Sequence, residues 1–149
     1  MIMTKQIDLL FDKNNNIAYK AMLELQKESE RSNAVYPYMD QFIEMMDSAN
    51  SYIRARGLLL IACNAQWDIN YKIDKIISRY LQHITDAKPT TARQCIKALP
   101  VVAKFKPDLR QDIIAALQKA DIAWYTDSMR PLICKDIQEA LEKIQKEEF

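Results

Sequence analysis

The sequence predicts an all-α fold built from stacked helical hairpins, and three observations support this prediction. One spacing occurs four times along the 149 residues, apolar residues recur at helical intervals within each copy, and the chain contains a single glycine. Each copy begins with an aspartate just before a helix-like run, and the copies are offset by 35, 39 and 41 residues. A period of that size is typical of helical-repeat proteins. The four aspartates are Asp12, Asp47, Asp86 and Asp127.

The positions that follow each aspartate are mostly small or apolar. They lie six, ten and thirteen residues further on, a spacing that places them on one face of a helix. We therefore expect them to line the core side of the second helix in each hairpin. In chain order they are Ala18, Met22 and Leu25; Ile53, Gly57 and Leu60; Ala92, Ile96 and Leu99; and Ile133, Ile137 and Ala140.

The composition argues against several classes of protein. Tight hairpin turns, phosphate-binding loops and dinucleotide fingerprints all need glycine, so a single glycine disfavours all-β folds, doubly wound α/β folds and glycine-loop nucleotide enzymes. The 21 basic and 20 acidic residues nearly cancel, which gives no general attraction to nucleic acid. No apolar run approaches about 18 residues, and no basic segment followed by an apolar core opens the chain. We therefore expect neither a membrane span nor a secretory signal.

The residues that most often hold metals are few. Cys63, Cys95 and Cys134 are odd in number and lie within helical patterns, so we expect reduced, buried thiols in a cytoplasmic protein. They lack a CxxC spacing, and His83 is the only histidine. We therefore expect no metal site, no cofactor and no histidine-based catalytic triad.

The first two helices are predicted on either side of a polar turn. A short helix is expected over residues 1–11, with Thr4 as its cap, and a second helix over residues 17–30. The asparagines at 14–16 form the turn between them.

A proline and a serine mark the second hairpin. Pro37 falls in the first turn of its first helix, where the missing N–H costs nothing. Residues 47–50 turn the chain, and Ser51 is expected to cap a helix over residues 52–65.

The third hairpin repeats this plan. Apolar residues line a helix over residues 73–84, residues 85–88 turn the chain, and Pro89 starts the second helix. Because the apolar period continues through Pro100, we expect this proline to kink the helix rather than end it.

The fourth hairpin begins at Pro107 and has the longest turn, at residues 120–126, before a last helix over residues 129–147. We find no linker or shift in composition along the chain. The sequence therefore predicts one domain, residues 1–149, of about eight helices.

The second and third copies carry a further pattern, in which a basic residue stands seven positions after the aspartate. This pattern resembles the HEAT/armadillo class of helical-repeat proteins, and the resemblance covers nearly the whole chain. It implies a right-handed α–α superhelix of about four hairpins, with the second helices lining a concave side, and it implies no particular reaction. The matching residues are Asp47, Ile53, Arg54, Gly57, Leu60 and Ile61, and then Asp86, Ala92, Arg93, Ile96 and Leu99.

The repeated charged residues are interpreted as a structural ladder. A guanidinium at each step would bond turn carboxylates or carbonyls of neighbouring hairpins and fix their stacking. Paired catalytic carboxylates would have to face one cavity, whereas the repeat spaces these acids along the stack, so we expect no catalytic residues. The predicted ladder consists of Asp47, Arg54, Asp86, Arg93 and Asp127.

Gly57 lies in mid-helix, where glycine costs about 1 kcal/mol relative to alanine. Close approach of a neighbouring helix explains it best, and approach of a ligand is the alternative.

Two sets of residues are candidates for binding a partner. Three basic residues of the second helices could form a strip, and three aromatic residues could either pack on a neighbouring hairpin or anchor a partner. The candidates are Arg56, Lys97 and Lys135, and Trp67, Trp124 and Tyr125.

The function predicted from this pattern is a non-enzymatic interaction module. It would bind a protein or peptide along its concave face, or form a homodimer through one end. The alternative is a nucleic-acid binder related in architecture to alkylation-repair DNA glycosylases, and a groove enzyme ranks third. Because Glu24, Glu139 and Glu142 dilute the basic strip, binding to DNA is expected to be weak.

Overall fold

The computed structural model describes residues 3–147, and within that range the chain contains α-helices and short 3₁₀ turns but no strand. The all-α prediction is therefore confirmed. The helices are α1 (Met3–Leu9), α2 (Asn15–Arg31), α3 (Met39–Met46), α4 (Ser51–Cys63), α5 (Lys72–Gln82), α6 (Pro89–Phe105), α7 (Arg110–Lys119) and α8 (Arg130–Gln145).

The chain forms two compact units, Met1–Lys72 and Ile73–Phe149. The first contains α1 to α4, and the second contains α5, from its second residue, to α8. Each unit has its own apolar core, and the organisation as one domain stays a prediction. Fully buried side chains include Leu10, Leu25, Phe42, Met46 and Leu60 in the first unit, and Ile73, Tyr80, Ile96, Leu99 and Ile133 in the second.

The apolar positions of the repeat lie where the spacing places them. All of them are buried except Ile53 and Ile137, which are half-buried. They fall on α2, α4, α6 and α8, the second helix of each predicted hairpin. The apolar period therefore identified the core-facing side of these helices correctly.

Two asparagines start the second helices of the first unit. The Asn14 side-chain oxygen accepts from the amides of Asn16 and Ile17 at 2.9 and 3.3 Å, and Asn50 caps α4 in the same way. The expected cap at Ser51 is wrong, because this residue already lies inside α4. The expected cap at Thr4 is also wrong, because α1 includes it; Met1 and Ile2, predicted to begin that helix, lie outside the described residues.

The prolines divide into two groups. Four of them stand in the first turn of a helical segment, where the N–H that proline lacks is not needed for a helical hydrogen bond. These are Pro37, Pro89, Pro107 and Pro131. Pro100 is buried inside α6, which continues to Phe105. The expectation that the helix is not ended there is confirmed.

Gly57 is a point of close contact between α3 and α4. A Cβ atom added to it would lie 2.8 Å from the Met45 Cβ, the Met46 amide nitrogen and the Phe42 carbonyl oxygen. Two of these neighbours are backbone atoms, which cannot move without shifting α3. The helices can approach this closely only because residue 57 has no side chain, which supports the packing interpretation of the glycine.

We predict that Gly57→Ala destabilises the protein. Overpacking should lower the free energy of unfolding by about 1–3 kcal/mol. Helix propensity alone would raise it by about 1 kcal/mol, so the sign of the change identifies the cause. Urea unfolding followed by circular dichroism measures it. Ala55→Gly, on the outer side of the same helix, is the matched control and should cost about 1 kcal/mol. A more stable Gly57→Ala protein would contradict the close contact.

Candidate functional site

In the first unit, α2 and α4 pack side by side along a line we call the first seam. Near its start, Arg56 donates from Nη1 to the Leu10 carbonyl and from Nη2 to the Asn15 side-chain oxygen, both at 3.0 Å. Near its end, the Asn64 side-chain nitrogen donates to the Ser29 hydroxyl at 3.2 Å. Because early residues meet early ones and late residues meet late ones, the two helices run parallel.

The seam changes the role of Arg56. Its side chain was expected to face a partner, but the residue is only 7% exposed. Burial lowers the pKa of Arg56, and its guanidinium satisfies a buried carbonyl at the end of the first helical segment. The exposed position expected of Arg56 is therefore wrong, and its role in binding a partner stays a prediction.

The second unit has an equivalent seam between α6 and α8. Arg93 donates from Nε to one oxygen of Asp136 at 2.6 Å and from Nη2 to the other at 3.4 Å. Near the C-terminal ends of α6 and α8, Arg110 donates from Nε to the Ala103 carbonyl at 2.9 Å and also pairs with Glu147. These helices are parallel as well. The Asp136 hydrogen bond raises the pKa of Arg93.

Asp136 is a site residue that the sequence interpretation missed. It is 5% exposed and lies on the buried stripe of α8 with Ile133, Ala140 and Ile144. A charged residue on a buried stripe needs a partner, because an unpaired buried charge is costly. That position within the apolar period was a signal from which the pair could have been predicted.

The predicted ladder residues take different local roles. Arg54 donates from Nη1 to the carbonyls of Ser48 and Ala49, both at 3.1 Å, in the turn before its own helix. Asp47 is the C-terminal cap residue of α3. Arg54 therefore stabilises a turn, whereas Arg93, seven residues after its own aspartate, joins two helices.

The other two ladder aspartates also make local contacts. Asp86 accepts from the Lys88 amide at 2.9 Å and lies 2.7 Å from His83 Nδ1. Asp127 is exposed and pairs with Arg130. A continuous ladder between neighbouring turns stays a prediction.

Trp67 is packed onto the protein rather than displayed. It is half-buried, and its indole nitrogen donates to the Ser29 carbonyl at 2.7 Å. This contact fixes the segment after α4 against the end of α2. The packing interpretation is therefore the one that agrees with the contacts.

Trp124 is different, because it is exposed on the loop between α7 and α8. Its side chain is 55% exposed and stacks on Tyr125, with ring centroids 4.1 Å apart. Tyr125 is buried and donates to the Asp86 carbonyl at 2.5 Å, while Arg130 donates to the carbonyls of Ala123 and Tyr125. Burial raises the pKa of Tyr125 to about 12. Trp124 is thus available to a partner, whereas Tyr125 holds the loop.

The outer side of the first seam is apolar. Tyr19 and Leu23 follow Asn15 on α2 at helical intervals, and Tyr52 and Leu59 flank Arg56 on α4. The core lies on the inner side of the seam, so these accessible residues lie on its outer side. Tyr19, Leu23 and Tyr52 are 50%, 38% and 59% exposed, and Leu59 is half-buried. We call these four residues the α2–α4 face.

The outer side of the second seam is basic with apolar residues between the charges. The residues that form this side follow Arg93 on α6, or lie before and after Asp136 on α8, at the intervals that put residues on one side of a helix. All of them are exposed. This α6–α8 face consists of Lys97, Val101, Lys104, Leu132, Glu139 and Lys143. The predicted residue Lys135 is exposed beside it, 3.8 Å from the Glu139 carboxylate.

An open cleft of about 440 Å³ lies in the first unit near the start of α4. Phe11, Met45 and Ile53 give it apolar walls, and Glu44 contributes a carboxylate. This lining can hold an apolar group.

The cysteines are free but differ in exposure. Cys95 is buried and Cys63 half-buried, whereas Cys134 is exposed, so the expectation of three buried thiols is wrong for Cys134. Helix α8 presents position 134 to solvent, because the seam occupies its opposite side. Burial raises the pKa of Cys63 to about 11 and that of Cys95 still further.

Across residues 3–147 no group of three or more histidine, cysteine, aspartate or glutamate side chains could hold a metal ion. None of the helices in that range combines the length and apolar character needed to cross a membrane. Comparison of the chain with family models, with curated proteins and with solved structures finds no match.

We predict that one thiol reacts quickly in the native protein. Cys134 is exposed, whereas a buried thiol with a raised pKa supplies little thiolate. In a colorimetric thiol assay, one thiol per chain should react quickly in the native protein, and all three should react once denaturant is added. Cys134→Ser should abolish the fast phase. A fast phase that persists in this variant would contradict the assigned exposures.

We predict that Arg56→Ala and Arg93→Ala destabilise the protein to a similar degree. Each leaves a buried acceptor of its seam unpaired, which should lower the free energy of unfolding by about 1–3 kcal/mol. Lys97→Ala is the control on an exposed face and should change it by less than about 0.5 kcal/mol. Urea unfolding measures all three variants. An Arg56→Ala protein as stable as Lys97→Ala would show that Arg56 does not hold the first seam.

Proposed function

We propose that this protein is a non-enzymatic helical-repeat interaction module that binds a protein or peptide. The observation that carries the proposal is the outer side of α4. On the side of α4 that contains Tyr52, the accessible positions are Tyr52, Ala55, Leu59 and Cys63, and none of them carries a charge. A helix at a protein surface normally shows solvent a polar face.

The neighbouring helix extends this surface. Tyr19 and Leu23 border the same seam, so the α2–α4 face presents two tyrosines and two leucines together. Tyrosine is enriched at energetically important interface positions, because its ring adds apolar area and its hydroxyl can form a hydrogen bond. Exposed apolar residues grouped along one seam support an interaction site here.

The architecture that we propose is a right-handed superhelix of about four HEAT-like hairpins, with the partner on its concave side. Two features support it: the buried repeat positions on α2, α4, α6 and α8, and the parallel alignment of the second helices within each unit. The free cysteines favour a reducing compartment, so we propose that the protein acts in the cytoplasm.

Site-specific cross-linking tests the proposed function. A photoreactive amino acid at position 59 should capture a partner protein that the same group at position 75, an exposed position on α5, does not. The partner is then purified and titrated. Leu59→Lys should raise its Kd by about tenfold or more, because it places a charge in an apolar contact.

The matched control for that titration is Ile69→Lys, at an exposed apolar position outside both faces, which should change the Kd by less than about twofold. Circular dichroism verifies that each variant is folded. Capture that is equal from positions 59 and 75, or equal loss of binding in the two lysine variants, would overturn the proposal.

A further inference from the structure

The α6–α8 face carries positive charge that the protein itself does not neutralise. Among residues 3–147, the ammonium groups of Lys97, Lys104 and Lys143 form no ion pair. Lys97 and Lys104 stand seven residues apart on one side of α6. Lys143 stands seven residues after Asp136, on the side of α8 next to α6. The three cations therefore border a single seam.

The acids around this face are already engaged. The Glu139 carboxylate lies 3.8 Å from Lys135 Nζ, and the Glu142 carboxylate lies 3.5 Å from Lys146 Nζ. These exposed pairs are weak, yet each acid has a basic neighbour one helical turn away. The face consequently keeps a net positive charge, although the whole chain is nearly neutral.

Apolar side chains lie between the cations. Val101 and Leu132 are 40% and 41% exposed. Lys104 Nζ lies 5.1 Å from the centroid of the neighbouring Phe105 ring, so this cation rests over an aromatic face. The surface thus offers aliphatic contact and positive charge within the same two helices.

We propose that the α6–α8 face docks an acidic amphipathic segment of a partner protein. Carboxylates of that segment pair with Lys97, Lys104 and Lys143, and its apolar side chains contact Val101 and Leu132. The positive charge of the face favours an acidic partner, and its aliphatic residues favour a peptide over a polyanion without apolar groups. This surface differs in position and chemistry from the α2–α4 face, so the two can fail independently.

Nucleic acid fits the face less well. Three phosphate contacts would release only about three counterions and give weak, salt-sensitive binding. A single-strand binder combines its basic groove with several aromatic platforms, whereas the aromatic ring beside this face is Phe105, already covered by Lys104.

Fluorescence anisotropy with the full chain tests the proposal. The probe is a labelled helical peptide of about 14 residues with leucines on one side and glutamates on the flanks. Three companions complete the set: the same peptide with lysine for glutamate, the same peptide with glutamine for leucine, and a duplex DNA. We expect the acidic leucine peptide to bind at least about tenfold more tightly than each companion at about 0.2 M salt.

Charge reversal then locates the site. Lys97→Glu combined with Lys104→Glu should raise the Kd of the acidic leucine peptide by about tenfold or more. Lys75→Glu combined with Lys119→Glu makes the same change in net charge at exposed positions on α5 and α7, and should raise the Kd by less than about twofold. Val101→Ser should weaken the leucine peptide while leaving the glutamine peptide unchanged.

Three outcomes would overturn the inference. Equal effects of the two double variants would mean that net charge alone governs binding. Duplex DNA that binds more tightly than the acidic leucine peptide, and is lost in the Lys97 variant, would assign the face to nucleic acid. Failure of the acidic leucine peptide to bind more tightly than its lysine companion would remove the acidic partner altogether.

Discussion

The lateral packing of consecutive second helices, α2 on α4 and α6 on α8, is the contact on which the rest of each unit depends. A single amphipathic helix cannot cover its own apolar stripe, so each of these helices needs a neighbour. Parallel alignment places helix ends of the same sign next to each other, a small electrostatic cost that apolar burial exceeds. In each seam an arginine completes the contact, Arg56 with Leu10 and Asn15, and Arg93 with Asp136. The two exposed faces exist because these helices lie side by side.

Most of the helical framework could be predicted from the sequence, because apolar spacing reports directly which side of a helix is buried. The function of each arginine could not. Arg54 and Arg93 occupy equivalent positions after their aspartates, yet Arg56, two residues after Arg54, is the one that joins the first seam. Two residues correspond to about 200° around a helix, so only one of the pair can face the neighbour. The copies are not evenly offset, and a contact seen in one copy does not transfer reliably to the next.

The smaller errors have similar causes. Asn50 and Ser51 are both good cap residues, and only the backbone at the helix start decides between them. Cysteine is usually a buried residue, yet Cys134 is exposed because the buried stripe of α8 passes through Asp136 instead. The apolar outer side of α4 was missed for a related reason: in a helix with apolar residues on more than one side, the sequence does not distinguish the core from a binding face.

The seams also bear on how quickly the chain can fold. The residues that they join are 35 to 46 positions apart, since Ser29 meets Asn64, Arg93 meets Asp136 and Leu10 meets Arg56. Each seam closes a loop of only a few tens of residues, so the entropic cost of each step stays modest. Contacts within single helices are much nearer in sequence, and helical proteins rich in such local contacts fold in microseconds to milliseconds. Each unit can therefore assemble stepwise, one helix after another, as the chain emerges during synthesis.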